Sequence, residues 1–129
     1  MTWTIRDGLV VITLIGTHEL DEFRDTINEA LASPGFRRGM HLFVDARSSY
    51  SYLTPEAIQQ RLEFIASLRE KGIPPRCAVV TTQQRVGISL RAAVKLEGFG
   101  MQMGVFLDME EARTWLREPS FGQGRGQAS

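Results

Sequence analysis

The residues best able to do chemistry gather in one stretch, Asp45-Ala46-Arg47-Ser48-Ser49-Tyr50-Ser51-Tyr52-Leu53-Thr54, with Arg85 closing a second, Thr81-Thr82-Gln83-Gln84-Arg85. Asp45 has the group for an acid, a base or a ligand. Arg47, two residues on, makes an ion pair or a loop-capping carboxylate the simpler role. Arg85 has the charge to receive an anion, although a turn arginine ordinarily keeps its head in solvent. Ser49 and its neighbours make the stretch dense in hydroxyls. Tyr50 and Tyr52 share a strand-like parity and offer an aromatic surface to a partner or an apolar ligand. Thr54 precedes Pro55-Glu56, the pattern of an N-cap before a proline at the first helical position. A phosphate on Thr54 would meet the free N–H groups of that helix, but Pro55 removes one donor and Glu56 repels the charge.

Other reactive types are isolated. His18-Glu19-Leu20-Asp21-Glu22 has a glutamate where a zinc helix needs its second histidine, so His18 is expected to border or cap a helix. His41 alternates with Phe43 and Asp45 and reads as a packed or edge histidine. Cys77 has no histidine nearby to activate it and reads as a small core residue. The glycines of residues 98–104 follow a helix and precede a strand, the reverse of a phosphate-binding loop. No catalytic constellation, cofactor site or metal site emerges.

Composition narrows the classes. The chain has 129 residues, one cysteine, and 15 basic against 15 acidic side chains for a formal net charge of zero. Zero net charge gives no general attraction to nucleic acid or to an anionic membrane, and Arg37-Arg38 is too small a basic cluster to supply one. No apolar run approaches the roughly 20 residues that span a bilayer, and the start lacks the features of a signal peptide. A lone cysteine cannot form an internal disulfide. A cytoplasmic protein without membrane insertion is expected.

The elements that must position these residues follow from periodicity. Asp7-Gly8 predicts a hairpin, its first strand with one wet face marked by Thr4 and Arg6, its second over residues 9–15 apolar enough to be covered on both faces. Leu20, Phe23, Ile27 and Leu31 predict an amphipathic helix stopped by Ser33-Pro34-Gly35. A strand over residues 40–46 follows, then a helix from Thr54 with Ile58, Leu62, Ile65 and Leu68 on one stripe. Residues 77–81 form a strand and residues 86–97 a helix. The apolar run after Met101 leads into Asp108, which caps a last helix carrying Glu110 and Glu111 in its first turn. The order is ββαβαβαβα: a mostly parallel five-stranded sheet with an antiparallel N-terminal edge strand and four helices. Residues 1–118 are expected to form a single domain and residues 119–129 a flexible tail.

This order, together with Val105-Phe106-Leu107-Asp108-Met109-Glu110-Glu111-Ala112-Arg113-Thr114-Trp115-Leu116, resembles the SpoIIAA-like proteins, which go with the STAS (sulfate transporter and anti-sigma factor antagonist) fold. The resemblance covers residues 2–118. It implies a small domain without known catalysis, sometimes described as joining STAS with CRAL-TRIO-type lipid-binding features. Anti-sigma factor antagonists carry an Asp-Ser-Ser-Gly type motif whose serine is phosphorylated. By position Thr54 is the nearest counterpart, and this chain lacks the Ser-Ser-Gly.

The expected function is therefore a non-enzymatic interaction or regulatory module. It would engage a protein partner, or itself as a homo-oligomer, through Asp45, Arg47, Ser49, Tyr50, Tyr52, Thr54 and Arg85. Phe99, Met101, Met103 and Phe121 are candidates for an exposed apolar patch, and the Trp3 edge strand is open to pairing. The alternative is a carrier holding a small apolar ligand or lipid between sheet and helices, which calls for a cavity of several hundred Å³.

Overall fold

Asp7 and Gly8 take φ values of 55° and 77°, the left-handed geometry of a tight hairpin turn. They join β1 (Thr2–Arg6) antiparallel to β2 (Leu9–Gly16). The computed structural model describes residues 1–118; the expected tail lies outside the described residues, as does Phe121. Trp3 and Ile5 are half-buried and alternate with exposed Thr2, Thr4 and Arg6, so β1 is an edge strand with one wet face.

After the hairpin each strand is followed by a helix. The elements are α1 (Leu20–Leu31), β3 (His41–Ser49), α2 (Pro55–Ser67), β4 (Arg76–Val80), α3 (Val86–Glu97), β5 (Gln102–Phe106) and α4 (Met109–Arg117), with 3₁₀ turns at Leu68–Lys71 and Gln83–Arg85. The sheet runs β1-β2-β3-β4-β5, antiparallel only at the first pair. Strand order thus equals chain order. Right-handed crossovers that always step the same way deliver their helices to the same face, and α1, α2 and α3 all lie together. Val10, Ile12, Leu42, Val44, Cys77 and Val79 point from the sheet into that layer. Among the described residues only α4 covers the other face, where Ala112 and Leu116 meet Leu9, Phe43, Ala78 and Val80.

The two-faced burial expected of β2 holds only for its first half. Leu9, Val10 and Ile12 are buried, whereas Ile15 is 52% exposed, because α4 packs over β4 and β5 and leaves that corner uncovered. The strand expected to end at Ala46 continues to Ser49, where Ser48 and Ser49 pair with Ile15 and Gly16. Between Asp45 and Ser48 that register gains one residue on β3, a bulge.

Helix ends follow the sequence closely. Thr54 accepts from the Ala57 amide at 3.1 Å, and Asp108 accepts from the Glu111 amide at 2.9 Å. Each satisfies an otherwise orphaned donor of the first turn.

Candidate functional site

α3 covers its end of the sheet with small residues. Only Leu96 of this helix is fully buried, and near its start Ile88 borders the space while the small Ser89 and Ala92 face it. Too little volume reaches the sheet there to fill the space. What remains is a cavity of about 140 Å³ at the carboxyl ends of the strands, between α2, α3 and the sheet. Its floor is Leu14, Val44 and Val79, and its walls include Ile58, Leu62, Ile65 and Ile88.

The bulge in β3 decides what else faces this space. Val44 and Ala46 point inward by strand alternation, and the extra residue reverses the parity. Ser49, which simple alternation would turn to the α4 face with Asp45, therefore lines the cavity and is buried. Asp45 stays on the other face, beside Thr13, Phe43 and Arg113. There it makes a two-pronged ion pair with Arg47, with Nε to Oδ1 and Nη2 to Oδ2 both 2.9 Å. Hydrogen bonding to Arg47 holds the Asp45 carboxyl below the usual carboxylate range.

Arg85 is not a solvated turn residue. It donates to the Ser51 carbonyl, lies 5.7 Å from the Tyr52 ring centroid and lines the cavity. The loop after β3 is held at several points, since the Tyr50 amide donates to Gly16 O at 2.7 Å and the His18 amide to Ser51 Oγ at 3.0 Å. Tyr50 and Tyr52 themselves are 68% and 91% exposed.

Of the residues singled out from sequence, Arg47, Ser49, Tyr50, Tyr52 and Arg85 border one groove of about 320 Å³. That groove adjoins the cavity, sharing Ser49, Arg85 and Ile88 with it. Asp45 contributes only through Arg47, and Thr54 is engaged as a helix cap outside both. The proposed apolar patch is corrected: Met101 is 2% exposed and belongs to the core, because the turn before β5, closed by the Met101 amide on Leu96 O, directs it into the cluster that holds Leu96. Phe99 and Met103 are partly buried against the same core.

Two more residues complete the cavity: His18, expected at the border of a helix and found just before α1, and Arg61, which sequence reasoning passed over. His18 is buried beside the cavity, its ring 6.1 Å from that of Phe23. Burial, with Arg61 nearby, pushes the His18 pKa below the usual histidine value. Arg61 is likewise buried, donating to the carbonyls of Ala57 at 3.1 Å and His18 at 3.3 Å. Its signal was present in the chain, since helical spacing puts Arg61 on the stripe of Ile58, Leu62 and Ile65. A charge at an inward helical position is the anomaly to look for.

Cys77 is enclosed, and burial pushes its thiol pKa to about 12. Among the described residues, no group of three or more His, Cys, Asp or Glu side chains is placed to hold a metal ion. No helix among them is long and apolar enough to cross a membrane.

Sheet order, helix placement and the closing Asp-capped helix define a small α/β module with its cavity at the strand ends. The SpoIIAA-like family profile matches residues 9–117, and the chain belongs to that family. A crystal structure of an uncharacterised protein of the DUF3478 family with a SpoIIAA-like fold, from Shewanella loihica PV-4, is similar with a TM-score of 0.58 at 14% identity. The similarity covers 88% of this chain and 90% of that one and is a likeness of fold. No curated protein matches the chain.

Proposed function

We propose that this chain is a non-enzymatic binding module that holds a small, mainly apolar molecule between its sheet and helices α2 and α3. The carrying observation is the cavity of about 140 Å³. An apolar cavity of about 150 Å³ takes up a molecule the size of benzene. The space is smaller than the several hundred Å³ of a drug-sized site, so the occupant is a compact molecule or the end of a chain, not a whole lipid. A non-enzymatic role is supported by the chemistry of the lining. Ser51 Oγ meets the His18 backbone amide, no base is hydrogen-bonded to a lining serine among the described residues, and the one thiol is held protonated in the core.

Titration with benzene, read as a change in melting temperature, tests this reading. At ten times Kd the folded state gains about 1.4 kcal/mol, a rise of several degrees. Ala92→Phe fills the cavity and should abolish the rise while the variant stays folded. Absence of any saturable rise with benzene or 1-pentanol contradicts the proposal.

A second reading is favoured by a separate observation. Tyr50 and Tyr52 on the rim of the groove and Leu90 and Val94 on α3 are exposed, and aromatic anchors of this kind suit a protein partner or a second copy of the chain. Sedimentation at rising concentration checks self-association. A strictly monomeric chain that Tyr52→Ser leaves unchanged in every binding assay removes that reading.

A further inference from the structure

The wall of the cavity carries a charge with no counter-charge beside it, although the Phe23 ring lies 5.9 Å from the Arg61 guanidinium. Arg61 is 7% exposed. Its guanidinium donates only to two backbone carbonyls, and its Nε–H has no partner. Among the described residues no carboxylate forms an ion pair with it, and none of the side chains lining the cavity is acidic. Glu19 acts on it only as a more distant charge. His18, 8% exposed, also lines the cavity and leaves its Nδ1 without a partner. Arg85 adds a second guanidinium to the lining.

A buried cation normally comes with a carboxylate, because taking a charge out of water is costly unless a partner compensates it. Holding two carbonyls does not require a charge, since a neutral amide donor would do so without that cost. The arrangement becomes economical when the cavity is filled by a molecule that brings the missing acceptor. The volume suits an apolar body of about six heavy atoms, the size of benzene, with an open side that adjoins the neighbouring groove. Arg61 and His18 both line the cavity and keep one unspent N–H and one unspent ring nitrogen, respectively, for a small head group. The His18 Nδ1–H tautomer would supply the second donor.

We propose that the cavity's ligand is a short amphipathic monocarboxylate, its carboxylate received by Arg61 and His18 and its apolar body lying against Ile58, Leu62, Ile65 and Ala92. This rests on the reading of the cavity as a ligand site and adds the charge and class of the occupant.

Calorimetric titration of the full chain at neutral pH with pentanoate, 1-pentanol and pentylamine separates the two claims. Pentanoate should bind at least tenfold more tightly than pentanol, and pentylamine most weakly. Arg61→Gln should bring the ratio of pentanoate to pentanol affinity to about one, and Ala92→Phe should remove both. Equal affinity for pentanoate and pentanol, tighter pentylamine, or an undiminished preference in Arg61→Gln overturns the anionic head group while leaving the cavity reading in place. If none of the three binds saturably, or if Ala92→Phe binds pentanoate like the parent, the cavity reading falls as well. Should Arg61→Gln fail to fold, the three-ligand comparison on the parent chain still decides.

Discussion

Two titratable side chains on opposite faces of the sheet give opposite pH signatures. Asp45 has a folded-state pKa below the ordinary carboxylate value, chiefly through its hydrogen bonds to Arg47. Its contribution is therefore complete above the unfolded pKa and disappears as pH falls through the lowered folded value. Asp45→Asn should cost about 1 kcal/mol or less at neutral pH, since Arg47 is half-exposed, and the loss should vanish in strong acid, as measured by urea denaturation across pH. His18 has a folded pKa below 6.5, first because of burial. As pH drops below 6.5 the unfolded chain takes up that proton before the folded chain does, so stability falls with pH in this window. His18→Gln should flatten that slope, and an unchanged slope would place the titration elsewhere. At this scale the sequence was a partial guide. Asp45–Arg47 is legible from spacing, whereas the burial of His18 and Arg61 depends on α1 and α2 meeting over β3, which no local pattern states.

Helices α2 and α4 are set by their first residues. Thr54→Ala and Asp108→Ala should each cost about 1 kcal/mol by removing a cap, with thermal unfolding as the measurement; a negligible change at either site would mean that water replaces the cap at no loss. The Thr54 result also bears on a phosphate switch, because an oxygen already bound to the Ala57 amide is given up when it is modified. Gly104 on β5 lies under α4, and a Cβ there would sit 2.6 Å from Phe106 Cε2 and 2.8 Å from Trp115 Cζ3. Gly104→Ala should thus destabilise by about 1–3 kcal/mol through overpacking, and a neutral result would show that the two rings can shift together. Caps, turns and stripes are local, so element order was readable throughout. The bulge in β3 was not, because Ala46-Arg47-Ser48 has no glycine or proline to mark it and pairing with Ile15 and Gly16 creates it. Ser49 reaches the cavity only through that bulge.

Strand order equal to chain order puts three helices on one face and one on the other. A sheet wound this way has no switch point where crossovers part to open a crevice. Its cavity has to come from a helix that packs loosely, and α3, with Ser89 and Ala92 turned inward, provides one. Alternation of strands and helices predicts the layers. It cannot predict an unfilled volume, which depends on the sum of side chains from α2, α3 and the sheet. The most direct test of the central claim is a methyl-labelled NMR titration of the full chain with 1-pentanol. Saturable shifts confined to Leu14, Val44, Ile58, Ile65, Ile88 and Met103, with the methyls around Leu116 on the α4 face unmoved, are the predicted result. Shifts spread evenly over both faces, or none at saturating ligand, would contradict a ligand cavity between the sheet and helices α2 and α3.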